Sequence, residues 1–180
     1  MQITVVGRSE FAMPPERGTV HVALSAQDTD PGRAAHRVQA AVARIDAEAR
    51  RLASGANAPV TWFSVAPTTT NSWQSTNQQG KPLPRQYAAK ARVQVKFRDF
   101  AALADAVNRW GADETTNVSH VQWALTEATK LRVEAKALGD AVADARARAT
   151  SIAASCGFSG VEVVEVADPG LLGDGGQSAG

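Results

Sequence analysis

The most constraining feature of the sequence is residues 87–98, where apolar and polar side chains alternate. The odd positions are all apolar, namely Tyr87, Ala89, Ala91, Val93, Val95 and Phe97. The even positions after Ala88 are polar or charged, namely Lys90, Arg92, Gln94, Lys96 and Arg98. Because successive side chains of a strand point to opposite faces, the pattern predicts a sheet that is apolar on one side and polar on the other.

Other segments complete an alternation of strands and helices. Strands are predicted at residues 2–6, 19–26, 60–66, 116–126 and 161–166. The first two are expected to form a hairpin with a wide connection, since Pro14 and Pro15 between them cannot donate ladder hydrogen bonds. Three helices are predicted. The first begins at Pro31 and is capped by Asp30, the second is capped by Asp99, and the third begins near Leu131. The order ββαββαβαβ predicts an α+β fold, with helices packed on one face of a largely antiparallel sheet.

The last helix has the strongest periodicity. Its apolar positions alternate in spacings of four and three, at Leu131, Ala135, Leu138, Val142, Ala145, Ala149, Ile152 and Cys156. That face is expected to be buried, and the predicted core contains Val38, Val42, Ile45, Leu138, Val142, Ile152, Val93, Val95 and Phe97. Replacement of Val142 by Asp would then cost several kcal/mol, because it would bury an unpaired charge.

Composition excludes several classes of protein. With 19 basic and 18 acidic residues the formal charge is +1, which gives no electrostatic footprint for nucleic acid or an anionic membrane. No apolar run approaches the roughly 18 residues that span a bilayer. The start of the chain predicts a strand and has no signal-peptide pattern, so we expect a cytoplasmic protein unless a leader was removed. The lone Cys156 is predicted to be inert packing in a helix.

A long polar stretch, 67–82, separates two predicted strands. Connections of this length are usually functional or mobile, and Trp73 within it has no local apolar pattern to explain it. Trp73 is therefore a candidate interface residue. The cations of the alternating strand, Lys90, Arg92, Lys96 and Arg98, are further interface candidates for an anionic partner. The alternative is a solvated sheet face, balanced by acids such as Glu162 on a neighbouring strand.

No motif in the sequence supplies chemistry. The three histidines, His21, His36 and His120, have no partner at metal-ligand spacing, although His21 and His120 would meet if their strands were neighbours. There is no Gly-rich phosphate loop and no hydrolase elbow. We therefore predict no catalytic residue, no metal and no cofactor.

The chain resembles the SIMPL domain family, which is widespread in bacteria. The similarity covers about Ile3 to Val166 and depends on residues 3–7 before a Pro-containing turn, on Gln86 to Phe100, and on residues 141–149 leading to Gly157 and a final strand. It implies an α+β domain, which we place at 1–166, and a tendency to self-assemble. The Gly-rich tail at 167–180 has no apolar periodicity and is therefore predicted to be disordered. Many relatives are envelope proteins, and the family has no established catalytic residue.

These features lead to two hypotheses of function. The first is a non-enzymatic scaffold or adaptor domain that forms homo-oligomers and contacts an unidentified protein partner, with the segment 67–86 in one contact. The alternative is a small-molecule binding protein with a pocket between sheet and helices.

Overall fold

The structure is a computed structural model that describes residues 1–167. Its elements are β1 (Arg17–Asp28), α1 (Pro31–Leu52), β2 (Val60–Val65), β3 (Thr69–Trp73), β4 (Gln86–Phe97), α2 (Phe100–Gly111), β5 (Thr116–Ala124) and α3 (Glu127–Ser155). They belong to two compact units, one of Pro14–Thr126 and one of Met1–Met13 together with the described residues from Glu127 onward. Except for Ala167, the tail predicted at 167–180 lies outside the described residues.

The unit of residues 14–126 is an antiparallel five-stranded sheet with α1 and α2 on one face, which confirms the α+β prediction. The strands follow the order β2-β4-β1-β5, and β3 pairs with β4 beyond the end of β2. In the middle of the sheet Val20 lies opposite Val95 and Val22 opposite Val93. The alternation along β4 therefore places its apolar side chains beside those of β1 on the helix-covered face.

One hydrophobic core fills the space between this face and the two helices. Val93, Val95 and Phe97 are fully buried there together with Val38 and Ile45 of α1, as predicted, and Val42 is partly buried against them. The indole of Trp110 from α2 is also buried, and its Nε1 donates a 2.8 Å hydrogen bond to Glu48 of α1. This hydrogen bond satisfies the polar end of a buried tryptophan and links the two helices.

Both helices of this unit begin where the sequence predicts. The Asp30 carboxylate accepts a hydrogen bond from the backbone N–H of Arg33, and Pro31 occupies the first helical position. The Asp99 carboxylate accepts from the N–H groups of Ala101 and Ala102 at the start of α2. Each aspartate satisfies amides that have no partner within the helix.

The polar stretch 67–82 is not a simple loop, and this prediction was wrong. Its first part forms β3, in which Thr69 lies opposite Lys90 and Trp73 opposite Gln86. Its second part returns through an isolated bridge between Thr76 and Pro82. The β-branched threonines of β3 suit an edge strand, so a polar composition hid an extension of the sheet.

The other unit is built on α3, a helix of 29 residues. Residues 2–6 do not form the predicted strand, and the predicted hairpin with 19–26 does not exist. The segment instead runs along α3: Arg148 donates to the carbonyl of Val6 at 2.8 Å, and the amide of Arg8 donates to Asp144 at 3.0 Å. Side-chain groups of the helix thus take the place of a neighbouring strand as hydrogen-bond partners.

The predicted burial of the apolar stripe on α3 was also wrong. Leu138 is 63% exposed, and Val142 and Ile152 are 46% and 44% exposed. The helix surface that meets the N-terminal segment is a different one, centred on Ala141, where Gly7 lies against the backbone. Cys156, predicted as packing, follows the same stripe past the helix end and is exposed.

The predicted last strand is absent as well. Residues 161–166 have no regular secondary structure, and Val163, Val164 and Val166 are exposed. A short β-branched run forms a strand only when a neighbouring strand pairs with it, and within residues 1–167 no strand pairs with this run.

Candidate functional site

The sheet face opposite α1 and α2, which we call the outer face, brings most of the predicted interface residues together. Strand alternation sends the even positions of β4 and the odd positions of β1 to this side, because their neighbours enter the core. No helix of the 14–126 unit packs on it. The site is therefore a broad polar surface and not a cleft.

Four of the five predicted interface residues share this face. Lys90 and Arg92 are exposed and Lys96 is half-buried along β4, while Trp73 is 39% exposed at the end of β3. The fifth, Arg98, lies just past the end of β4, where its backbone N–H donates to the carbonyl of Pro59.

A second tryptophan on this face was not singled out from the sequence. Trp62 on β2 lies opposite Lys96, and the Lys96 ammonium sits 5.7 Å from the centre of the indole ring. The indole face attracts the cation, which holds both side chains over the sheet. The sequence places Trp62 in a predicted strand, but it does not identify the strand that pairs with it, so the contact with Lys96 could not be predicted.

The outer face is basic. None of its strand positions within 14–126 carries an aspartate or glutamate. Glu162, expected to balance the cations from a neighbouring strand, does not lie in a strand. This part of the prediction was wrong, and the face has cations without neutralising carboxylates at strand positions.

His21 and His120, which were predicted to meet only if their strands were neighbours, do meet on the outer face. β1 and β5 are neighbours, and His21 lies directly opposite His120. Their rings stack with centroids 4.2 Å apart and planes 12° from parallel. The Nε2 of His21 is also 3.3 Å from the side-chain oxygen of Gln122.

Chemically useful clusters are scarce elsewhere in the described part of the chain. Residues 1–167 contain no group of three or more His, Cys, Asp or Glu side chains that could share a metal ion. An open concavity of about 490 Å³ lies at the start of α1, beside Asp28 and Arg33. There the guanidinium of Arg33 donates to Asp28 and lowers the pKa of that carboxyl from 3.8 to about 2. This is an exposed ion pair at a helix start, and it needs no ligand to explain it.

Comparison with known families identifies one match. The model of the SIMPL family, described as a protein of unknown function (DUF541), matches residues 3–179. No curated protein is significantly similar to the chain. Among residues 1–167, no helix has both the length and the apolar character needed to cross a membrane.

Proposed function

Because the chain belongs to the SIMPL family, whose function is not known, we propose a function from its own surfaces: it is a non-enzymatic scaffold domain whose copies assemble through α3. The observation that carries this proposal is the exposed apolar stripe of α3. Leu131, Leu138 and Ile152 are 44–63% exposed at intervals of seven or fourteen residues. Val142 adds a half-exposed side chain between them.

The spacing of the stripe suits a second copy of the same helix. Positions that repeat at four and three residues form the seam of two helices that pack along each other. The intervening positions Ala135, Ala145 and Ala149 are small, which allows close approach. A self-complementary seam supports a homo-oligomer because one surface serves both partners.

The size of the stripe predicts weak association. Full burial of a Val, Leu or Ile side chain contributes about 1.5–3 kcal/mol, so covering the exposed half contributes about 1 kcal/mol each. Four such side chains on each of two copies give roughly 8 kcal/mol, which is comparable with the roughly 4–15 kcal/mol cost of association. Assembly should therefore depend strongly on concentration.

Light scattering across a concentration series tests this proposal. We expect the parent to rise from the 18.9 kDa monomer mass towards a multiple of it as concentration increases. Leu138→Glu should hold the protein at monomer mass, since it places like charges on both sides of the seam. Ala147→Glu, an equal charge change at an exposed position outside the stripe, is the control and should assemble like the parent. A parent that stays monomeric throughout would refute the proposal.

The outer face supports the adaptor part of the same proposal. Trp62 and Trp73 supply aromatic anchors, and Lys90, Arg92 and Lys96 supply positive charge. Such a surface fits an acidic protein partner better than a second copy of itself. A contact centred on Trp73, within the segment 67–86, would lose about 2 kcal/mol or more on truncation.

Trp73→Ala and Trp123→Ala form a matched pair for this contact. Trp123 is 51% exposed but lies on the opposite face, where its ring meets Phe100 edge to face. We expect Trp73→Ala alone to weaken retention of a partner recovered with the parent protein, and addition of salt to weaken it further. Equal losses for both variants would contradict a role for the outer face. Small-molecule binding between sheet and helices remains the alternative proposal, and a bound metabolite protecting core amides from exchange would favour it.

A further inference from the structure

The stacked histidines on the outer face have the geometry of a metal-binding pair. His21 and His120 face each other from adjacent antiparallel strands, so the backbone ladder fixes the separation of their Cα atoms. Their rings are nearly parallel, with centroids 4.2 Å apart. Two imidazole nitrogens that bind one ion at about 2.0–2.1 Å lie about 3–4 Å apart. Because the stacked rings are nearly parallel, each must rotate about its side-chain torsions to direct a nitrogen at a common ion, and both rings are at least partly exposed.

Gln122 adds a third donor at the same place. Its side-chain oxygen lies 3.3 Å from Nε2 of His21. A nitrogen and an oxygen at that separation, each about 2.0–2.2 Å from a common ion, would subtend an angle of about 105°. Replacement of the shared proton by a metal ion therefore needs no large movement of either side chain.

The donor set and its surroundings select the class of metal. Imidazole nitrogen favours copper, nickel and zinc, whereas calcium and magnesium require carboxylate-rich oxygen sites, and the outer-face strand positions have no carboxylate. The next residues across the ladder from the pair are neutral, since Gln94 lies opposite His21. Arg92 and Lys96 occupy the outer-face positions of β4 on either side of Gln94, and the ammonium of Lys96 sits over Trp62 on the far strand. The residue directly opposite His21 on β4 is therefore neutral, although the whole face is basic.

We propose that His21 and His120, with the side-chain oxygen of Gln122 as a weaker third ligand, bind a divalent transition-metal ion of the late first row. Cu²⁺ binds most tightly, since affinity at a site of nitrogen and oxygen ligands rises from nickel to copper and falls again at zinc. The remaining coordination positions are open to solvent or to a group from a partner. This site uses no residue of α3, and the proposal does not rest on the assembly proposed above.

Calorimetric titration of the untagged full chain with CuCl₂, NiCl₂ and ZnCl₂ tests the site. The parent should bind one Cu²⁺ per chain at the pair, and either His21→Ala or His120→Ala should weaken this binding at least about tenfold. Gln122→Ala should weaken it by a smaller factor. His36→Ala removes the third histidine, which lies on α1, and is expected to leave the affinity unchanged. All these side chains lie outside the hydrophobic core, and far-ultraviolet circular dichroism verifies that each variant is folded.

Electron paramagnetic resonance of the Cu²⁺ complex adds a direct count of ligands. Nitrogen coupling from two imidazoles is expected in the parent and from one in each single histidine variant. Parent binding no tighter than that of the His21→Ala/His120→Ala double variant would overturn the proposal. So would an equal loss in His36→Ala, because that result would place the ligands elsewhere.

Discussion

The contact between Gly7 and α3 gives the sharpest test of how the N-terminal segment is held. A Cβ atom at position 7 would lie 1.8 Å from the carbonyl oxygen of Ala141 and 2.7 Å from its carbonyl carbon. Both are backbone atoms of a helix and cannot move aside as a side chain does. In Gly7→Ala the segment must therefore lift away from α3 around this residue.

The cost follows from the hydrogen bonds on either side. Lifting the segment strains or breaks three hydrogen bonds. The Arg148 guanidinium donates to the Val6 carbonyl at 2.8 Å, the Arg8 amide donates to the Asp144 carboxylate at 3.0 Å, and the Ser9 hydroxyl donates to the Ala137 carbonyl at 2.8 Å. Each exposed hydrogen bond contributes about 0.5–1 kcal/mol net, so the segment should lose about 2 kcal/mol of local stability. That loss corresponds to a roughly 30-fold larger equilibrium constant for local opening, and therefore to roughly 30-fold faster amide exchange when reclosing is fast.

Hydrogen exchange at the amide of Arg8 measures the effect directly, because this amide donates to Asp144. Gly139→Ala is the matched control: it lies in α3 with nothing within 4 Å of the added Cβ. It should stabilise the helix by about 0.5–1 kcal/mol, since alanine loses less backbone entropy than glycine. Unchanged exchange at Arg8 in Gly7→Ala would refute the close approach.

Three other predictions follow from burial and charge. Ile45→Ala, in the buried core, should lower the free energy of unfolding by about 2–5 kcal/mol in chemical denaturation. Val142→Asp, on the exposed stripe, should change it by less than about 1 kcal/mol at concentrations where the chain is monomeric. A larger loss for Val142→Asp than for Ile45→Ala would instead support the buried α3 face that the sequence predicts. Cys156 should react with a thiol reagent in the folded protein as fast as in the unfolded chain, and marked protection would contradict its exposure. The pKa of Asp113 is lowered from 3.8 to about 2 by hydrogen bonds from Thr115 and Arg44, so the stability it provides is present above pH 4 and lost as the pH falls to 2. Asp113→Asn should flatten that part of the stability profile, and a profile as steep as the parent's would contradict this assignment.

Local signals were sufficient for four of the five strands of the sheet, all except β3, and for its two covering helices. The alternation in β4 identifies its buried face, and Asp30 and Asp99 mark helix starts, because each signal depends on residues close in the sequence. Which strands are neighbours is a long-range property. From the sequence, His21 and His120 could be predicted to meet only if their strands were neighbours. The structure shows that β1 and β5 are neighbours and that the two histidines lie opposite each other.

The errors share a physical origin. An apolar stripe predicts that a helix face is suited to burial, but it does not identify what covers it. On α3 the N-terminal segment instead follows the surface around Ala141, where a glycine permits close approach and Asp144 and Arg148 supply hydrogen bonds. A β-branched run is likewise compatible with a strand, and pairing decides whether one forms. Periodicity thus predicts which surfaces are apolar more securely than it predicts which contacts are made.

The two surfaces proposed as interaction sites, α3 for a second copy and the outer face for an acidic partner, differ in charge, and this difference determines how each responds to salt. The stripe of α3 presents Leu131, Leu138, Val142 and Ile152, so its contacts depend on apolar burial and should persist as ionic strength rises. The outer face presents Lys90, Arg92 and Lys96 without carboxylates at its strand positions, so two copies of it repel each other and its attraction to an acidic partner is screened. In the scaffold that we propose, one chain would thereby combine a seam for its own copies with a basic face that disfavours them. A scaffold needs this separation, because a partner-binding face that also joined copies would be occupied by the assembly itself.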